Sequence, residues 1–92
     1  MIHLNSTVIA TNQQLSTDMA DETVILNMQD GIYYGLDEVG TFIWQNIQSP
    51  ISVTTLIQLL LEAYAVDKAT AERDIMRLLN DLQQKHLVNT IT

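Results

Sequence analysis

Two histidines, eleven carboxylates and three glycines are the groups with which this chain could do chemistry. His3 stands at an N-terminus expected to fray, and His86 at the end of a helix, where the helix dipole favours a cation. The carboxylate pairs Asp21/Glu22 and Asp37/Glu38 fall at a turn and at a helix start, positions that capping and solvation explain. Gly31, Gly35 and Gly40 match neither a phosphate loop nor a dinucleotide fingerprint. No serine sits in a Gly-x-Ser-x-Gly elbow, and there is no cysteine. Thiol nucleophiles, disulfides, zinc fingers and iron–sulfur sites are thereby excluded. We read no enzyme, no cofactor and no metal site. An acyl or peptidyl carrier is also excluded, because its arm needs an Asp-Ser pair that the chain lacks.

The groups that remain belong to a binding surface. Arg73, Asp74, Arg77 and Asp81 alternate along the exposed side of a helical stretch, with Asp81 four residues before Lys85. Such a face can be merely solvated, its ion pairs each worth about 0.2–0.5 kcal/mol. By helical angle, however, Asp74, Leu78 and Asp81 share one margin of the apolar stripe, with Arg77 further out. A mixed margin of this kind can wall a groove. The second feature is Gly31-Ile32-Tyr33-Tyr34-Gly35, a strand without proline, lysine or charge. If three strands pair in chain order, it is an edge. Either the protein's own helices cover that edge, or it accepts a peptide strand.

The elements that must position these groups follow from periodicity. Thr23–Met28 is β-branched and apolar, a strand. Gln29-Asp30-Gly31 is a turn, and Ile32-Tyr33-Tyr34 is the return strand, ended by Gly35. Gln13–Met19 or Thr7–Ala10 supplies a third strand, with Asp18–Glu22 as connecting turn. Asp37 caps a first helix that ends at Ser49-Pro50. Ser52 caps a second, with Val53, Leu56, Ile57, Leu60, Leu61 and Tyr64 inward. Asp67 caps a third, about Lys68 to Lys85, with Ala71, Ile75, Leu78, Leu79 and Leu82 inward. The fold class is α+β: an N-terminal three-stranded antiparallel sheet followed by three helices, in a winged helix-turn-helix-like shape.

At 92 residues and 47% hydrophobic content the chain is one domain, 1–92, with a core of about 15–88. Eleven acids against four bases give a net charge of −7, and residues 1–67 carry eight acids and no base. Nucleic acid and anionic membranes need a basic surface, so both are disfavoured as partners. The longest apolar run, Ala63–Val66, cannot span a bilayer. No signal segment is visible in these residues, and the expected compartment is the cytoplasm.

In order, Thr23-Val24-Ile25-Leu26-Asn27, Asp30-Gly31-x-Tyr33-Tyr34-Gly35-Leu36, Gly40-x-x-Ile43-Trp44, Ala71-Glu72-Arg73-Asp74-Ile75, Leu78-Leu79-x-x-Leu82 and Leu87-Val88 resemble the PqqD-like family. These are recognition elements for ribosomally made, modified peptides. The resemblance implies a peptide chaperone whose partner is the leader region of a precursor. The leader adds to the third strand and lies against the third helix. Carried over, Gly31, Ile32, Tyr33, Tyr34 and Gly35 supply the edge, and Asp74, Leu78 and Asp81 the wall. Arg77 would meet an acidic leader side chain, while Leu36 and Trp44 serve the core.

The Tyr-Tyr-Gly-Leu-Asp and Gly-x-x-Ile-Trp pieces are most similar to leader-recognition proteins of lasso peptide clusters. That implies a cysteine-protease-like leader peptidase as second partner. The second strand lacks the Leu-Leu-x-Pro-Glu segment typical of the quinone-cofactor branch. The chain also has Asp37 where the family often has Asn, and His86 where a Gly before the Leu is usual. The alternatives are a PqqD-type chaperone of another modified-peptide or quinone-cofactor pathway, a winged-helix DNA-binding or regulatory module, and an oligomerisation domain pairing through its edge.

Overall fold

The computed structural model describes residues 2–12, 14–19 and 22–91. Along the chain run β1 (Thr7–Ala10), β2 (Gln14–Met19), β3 (Glu22–Asn27), β4 (Tyr33–Leu36), α1 (Glu38–Asn46), β5 (Ile51–Ser52), α2 (Val53–Ala63), α3 (Lys68–Gln84) and β6 (Val88–Thr90). The class is α+β, as expected. β2, β3 and β4 form an antiparallel sheet in chain order, so β4 is an edge. Of the two candidate third strands, Gln14–Met19 is the one that pairs with β3. The expected turn is shorter than Asp18–Glu22, because both strands extend into it; residues 20 and 21, at its centre, lie outside the described residues.

The other candidate, β1, is also a strand, but of a second sheet. It lies between β5 and β6, antiparallel to both. This sheet draws the N-terminal segment into the core, with Val8 and Ile2 buried. His3 is not on a frayed end: its N–H donates to Ser6 Oγ at 2.9 Å, and the Ser6 and Leu4 carbonyls accept from Val53 and Thr54 at the start of α2.

All three helix starts are the expected ones. The Asp37 carboxylate accepts from Gly40 N–H at 2.8 Å, Ser52 Oγ from Thr55 N–H at 3.1 Å, and the Asp67 carboxylate from Thr70 N–H at 3.1 Å. The Thr70 hydroxyl also donates to Asp67 at 2.7 Å, and this bond holds the Asp67 carboxyl below the usual aspartate range. α1 packs on β3 and β4, and α2 on α1 and α3. The stripe of α3 buries Ala71, Ile75, Leu79 and Leu82; Leu78, expected inward, is only partly buried at its margin. α1 buries Ile43 and Trp44, while Phe42 is half-buried, edge-on to Tyr64.

The end of α3 departs from common chemistry. Leu87 N–H donates to the Leu82 carbonyl and His86 N–H to that of Gln83. This is a Schellman ending, which puts one residue in the left-handed region. That residue is His86, with φ 60°. A glycine would sit there without strain, whereas a side chain costs about 1–2 kcal/mol. His86→Gly should therefore stabilise the fold by about 0.5–1 kcal/mol after glycine's own entropic cost, read as a higher urea midpoint. A lower midpoint would contradict this account of the helix ending.

Asn27 joins the hairpin to this same helix end. It is 4% exposed. Its side-chain N–H donates to the Lys85 carbonyl at 2.7 Å, and its side-chain oxygen accepts from Gln29 N–H at 2.9 Å. Asn27→Ala should cost about 1–3 kcal/mol. Asn27→Asp should cost no less at neutral pH, because a carboxylate would then face the Lys85 carbonyl. Urea unfolding measures both, and a loss below about 0.5 kcal/mol for either would show the anchor to be dispensable.

Candidate binding groove

The hairpin register fixes which groups of β4 are free. Asn27 N–H donates to the Ile32 carbonyl, and Ile25 faces Tyr34 while Thr23 faces Leu36. In an antiparallel ladder, hydrogen-bonded pairs alternate. The Ile32 carbonyl and the main-chain groups of Tyr34 and Leu36 therefore turn toward β3. Tyr33 and Gly35 turn theirs away from the sheet, where no strand follows. The side chains alternate too: Leu36 is buried and Tyr34 half-buried on the core side, while Tyr33 is 69% exposed on the other face.

Beside this edge lies a groove of about 550 Å³, walled by β4, the start of α1 and the flank of α3. Six of the nine expected site residues line it: Tyr34, Gly35, Asp74, Arg77, Leu78 and Asp81. Three do not. Gly31 and Ile32 precede the strand, in a turn where Gly31 has φ 72° and Ile32 N–H donates to the Asp30 carboxylate. Tyr33 is on the strand but points to the opposite face. The edge strand is thus Tyr33–Leu36, one residue later at its start than the return strand expected from Ile32, and it runs on past Gly35 to Leu36.

Val39, Gly40 and Ile43 also line the groove, along with Leu36 and Asp37. Sequence reasoning assigned Leu36 and Asp37 to core and cap, and both do that work as well. Gly40 was the available signal. A Cβ there would come within 3.2 Å of both Asp37 Oδ1 and Leu36, so its smallness lets the helix start close against the strand.

Electrostatically the groove is mixed. Asp37, Asp74 and Asp81 bring three carboxylates to its walls and Arg77 one guanidinium. Burial, and then the Asp81 charge, push the Tyr34 phenol above its usual range. The Lys85 ammonium lies 5.5 Å from the centre of the Tyr34 ring, within cation–π reach. It therefore does not pair with Asp81 as helix spacing suggests. Among the described residues the one ion pair is Arg73–Asp74, at 3.8 Å and largely exposed, and is worth little. Arg77 is left available to a ligand.

His86 lies in a different cleft, with Thr11 and Asn89. Among the described residues no group of His, Asp or Glu is placed to hold a metal, and no helix is long and apolar enough to cross a membrane.

The fold has counterparts. The chain is similar to TbiB1, solved in complex with the TbiA(beta) leader peptide, with a TM-score of 0.83 and 31% identity over 91% of this chain and 98% of that one. It shares its fold with lasso peptide synthetase B1, solved with the leader peptide, at a TM-score of 0.78 and 23% identity over 89% and 96% of the two chains. Comparison with curated proteins found no match. The family model for coenzyme PQQ synthesis protein D matches residues 22–88, from the first residue of β3 to the first of β6, and on that match the chain belongs to the PqqD family.

Proposed function

We propose that this protein binds the leader segment of a ribosomally synthesised precursor peptide as a strand added to β4, and presents it to a leader peptidase during lasso peptide maturation. The observation that carries the reading is the open edge. Tyr33 and Gly35 point their main-chain donors and acceptors outward beside a groove, in a chain 31% identical to a protein solved with a leader peptide. Main-chain bonds supply affinity with little demand on sequence. The groove supplies selection: Leu78 and Val39 take apolar side chains, and Arg77 an acidic one.

Binding orders a flexible peptide, which offsets part of the gain. The benefit is effective concentration, since a held leader keeps its precursor beside the enzyme that cuts it. The chain's role is recognition rather than catalysis. A cysteine-protease-like peptidase would supply the nucleophile that this chain lacks. A DNA-binding role fits poorly with a net charge of −7.

Calorimetry with a synthetic leader of the cognate lasso precursor tests the reading. Binding in the micromolar range or tighter is expected. Tyr33→Pro removes an outward N–H without touching the β3–β4 ladder. It should weaken binding by about tenfold or more, the equivalent of about 1.4 kcal/mol, with the circular dichroism spectrum unchanged. No heat at high micromolar leader, or unchanged affinity in Tyr33→Pro, would overturn strand addition. Presentation is tested separately: the protein should speed peptidase cleavage of the full precursor, and equal rates with and without it would remove that role.

A further inference from the structure

The groove occupies one face of the sheet beside β4. The opposite face carries an uncharged, largely apolar patch, bounded on β3 by Glu22. Leu15 stands opposite Leu26, which stands opposite Tyr33, and Thr17, Val24 and Gly35 form the adjacent row. Directly opposed residues project to the same side. Ile25 and Leu36, of the other parity, are buried in the core, so both rows lie on the outer face. Leu15 is 60% and Tyr33 69% exposed. Val24 and Leu26 are half-buried without joining the core cluster. None of the six carries a charge.

At β4 the second row ends in a blank. A Cβ on Gly35 would meet nothing within 4 Å, and its φ is not in the left-handed region. The free fold therefore has no steric need of a glycine there. What the glycine does is leave the strand backbone bare at the open edge, next to an exposed tyrosine ring. Edge glycines of this kind are commonly covered by an aromatic side chain on the neighbouring strand. On the inner side that neighbour is Val24; on the outer side the neighbour is whatever strand adds to β4.

We infer that the peptide strand added at β4 places an aromatic or β-branched side chain on the outer face, over Gly35 and against Tyr33, so that the protein reads both faces of its ligand. This rests on the strand addition proposed above. A strand of period two cannot avoid presenting its alternate side chains here, and an uncharged apolar surface accepts an apolar residue at the least cost. The groove selects one set of leader side chains, and the Leu15–Leu26–Tyr33 row selects the interleaved set.

The test is an alanine scan of the same synthetic leader against the wild-type protein and Tyr33→Ser, with affinities from calorimetry. Tyr33 is exposed, so its replacement spares the core. Two interleaved sets of sensitive leader positions are expected. The outward set should lose about two- to fivefold on wild type and little further on Tyr33→Ser, while the inward set loses equally on both proteins. A single set, every second residue, with losses independent of Tyr33, overturns the two-faced reading. If Tyr33→Pro still weakens the leader in that case, strand addition itself stands. A concentration-dependent dimer broken by Tyr33→Ser would assign the row to a second copy and also overturn the inference. No binding to the wild-type protein would remove both readings.

Discussion

The position of the hairpin against the third helix rests on one buried amide. Asn27 leaves the sheet at the end of β3 and donates to the Lys85 carbonyl just beyond α3. Its other end shapes the turn into β4. The edge strand and the helix flank are thus held from a common point, and the groove is the space that remains between them. The helix end is fixed from its other side as well: Thr11 donates to the carbonyls of His86 and Leu87, which ties it to the β1 end of the second sheet. A rigid groove needs both anchors, because a binding site loses affinity whenever its walls must be ordered on contact.

Open sheet edges invite unwanted pairing, and proteins commonly block them with lysine, proline or bulges. β4 has none of these, in a chain that carries all its bases after residue 67. The edge is short, and its exposed tyrosine sits in an uncharged patch of the outer face. The net charge of −7 gives copies of the chain a mutual repulsion that opposes edge-to-edge association. A short edge, guarded by net charge instead of local blocks, remains open to a flexible peptide.

Much of this was legible in the sequence, and the parts that were not share a cause. Helix starts announced themselves through local chemistry at Asp37, Ser52 and Asp67, and the main sheet through β-branched runs and one Asp-Gly turn. The second sheet was silent: β5 has two residues and β6 three, too few to show a period, and β1 reaches them only across long sequence separations. The end of α3 near Lys85 was legible, but its left-handed residue was not, because His86 stands where the local rule expects glycine. In the groove, the α3 wall was legible from helical angle. The Leu36–Gly40 wall was not, because capping and core packing already accounted for those residues. Leu36, Asp37 and Gly40 each do two jobs, and a sequence displays only the commoner one.

The central claim is that a leader peptide completes the main-chain hydrogen bonding of β4. Amide hydrogen exchange, read residue by residue with and without the leader, tests it most directly. By the ladder register, Tyr34 and Leu36 should be protected in the free protein, while Tyr33 and Gly35 should exchange. On leader binding, the account predicts strong new protection at Tyr33 and Gly35 with little change at Tyr34 and Leu36. Leader binding that leaves the Tyr33 and Gly35 amides exchanging as before would contradict it.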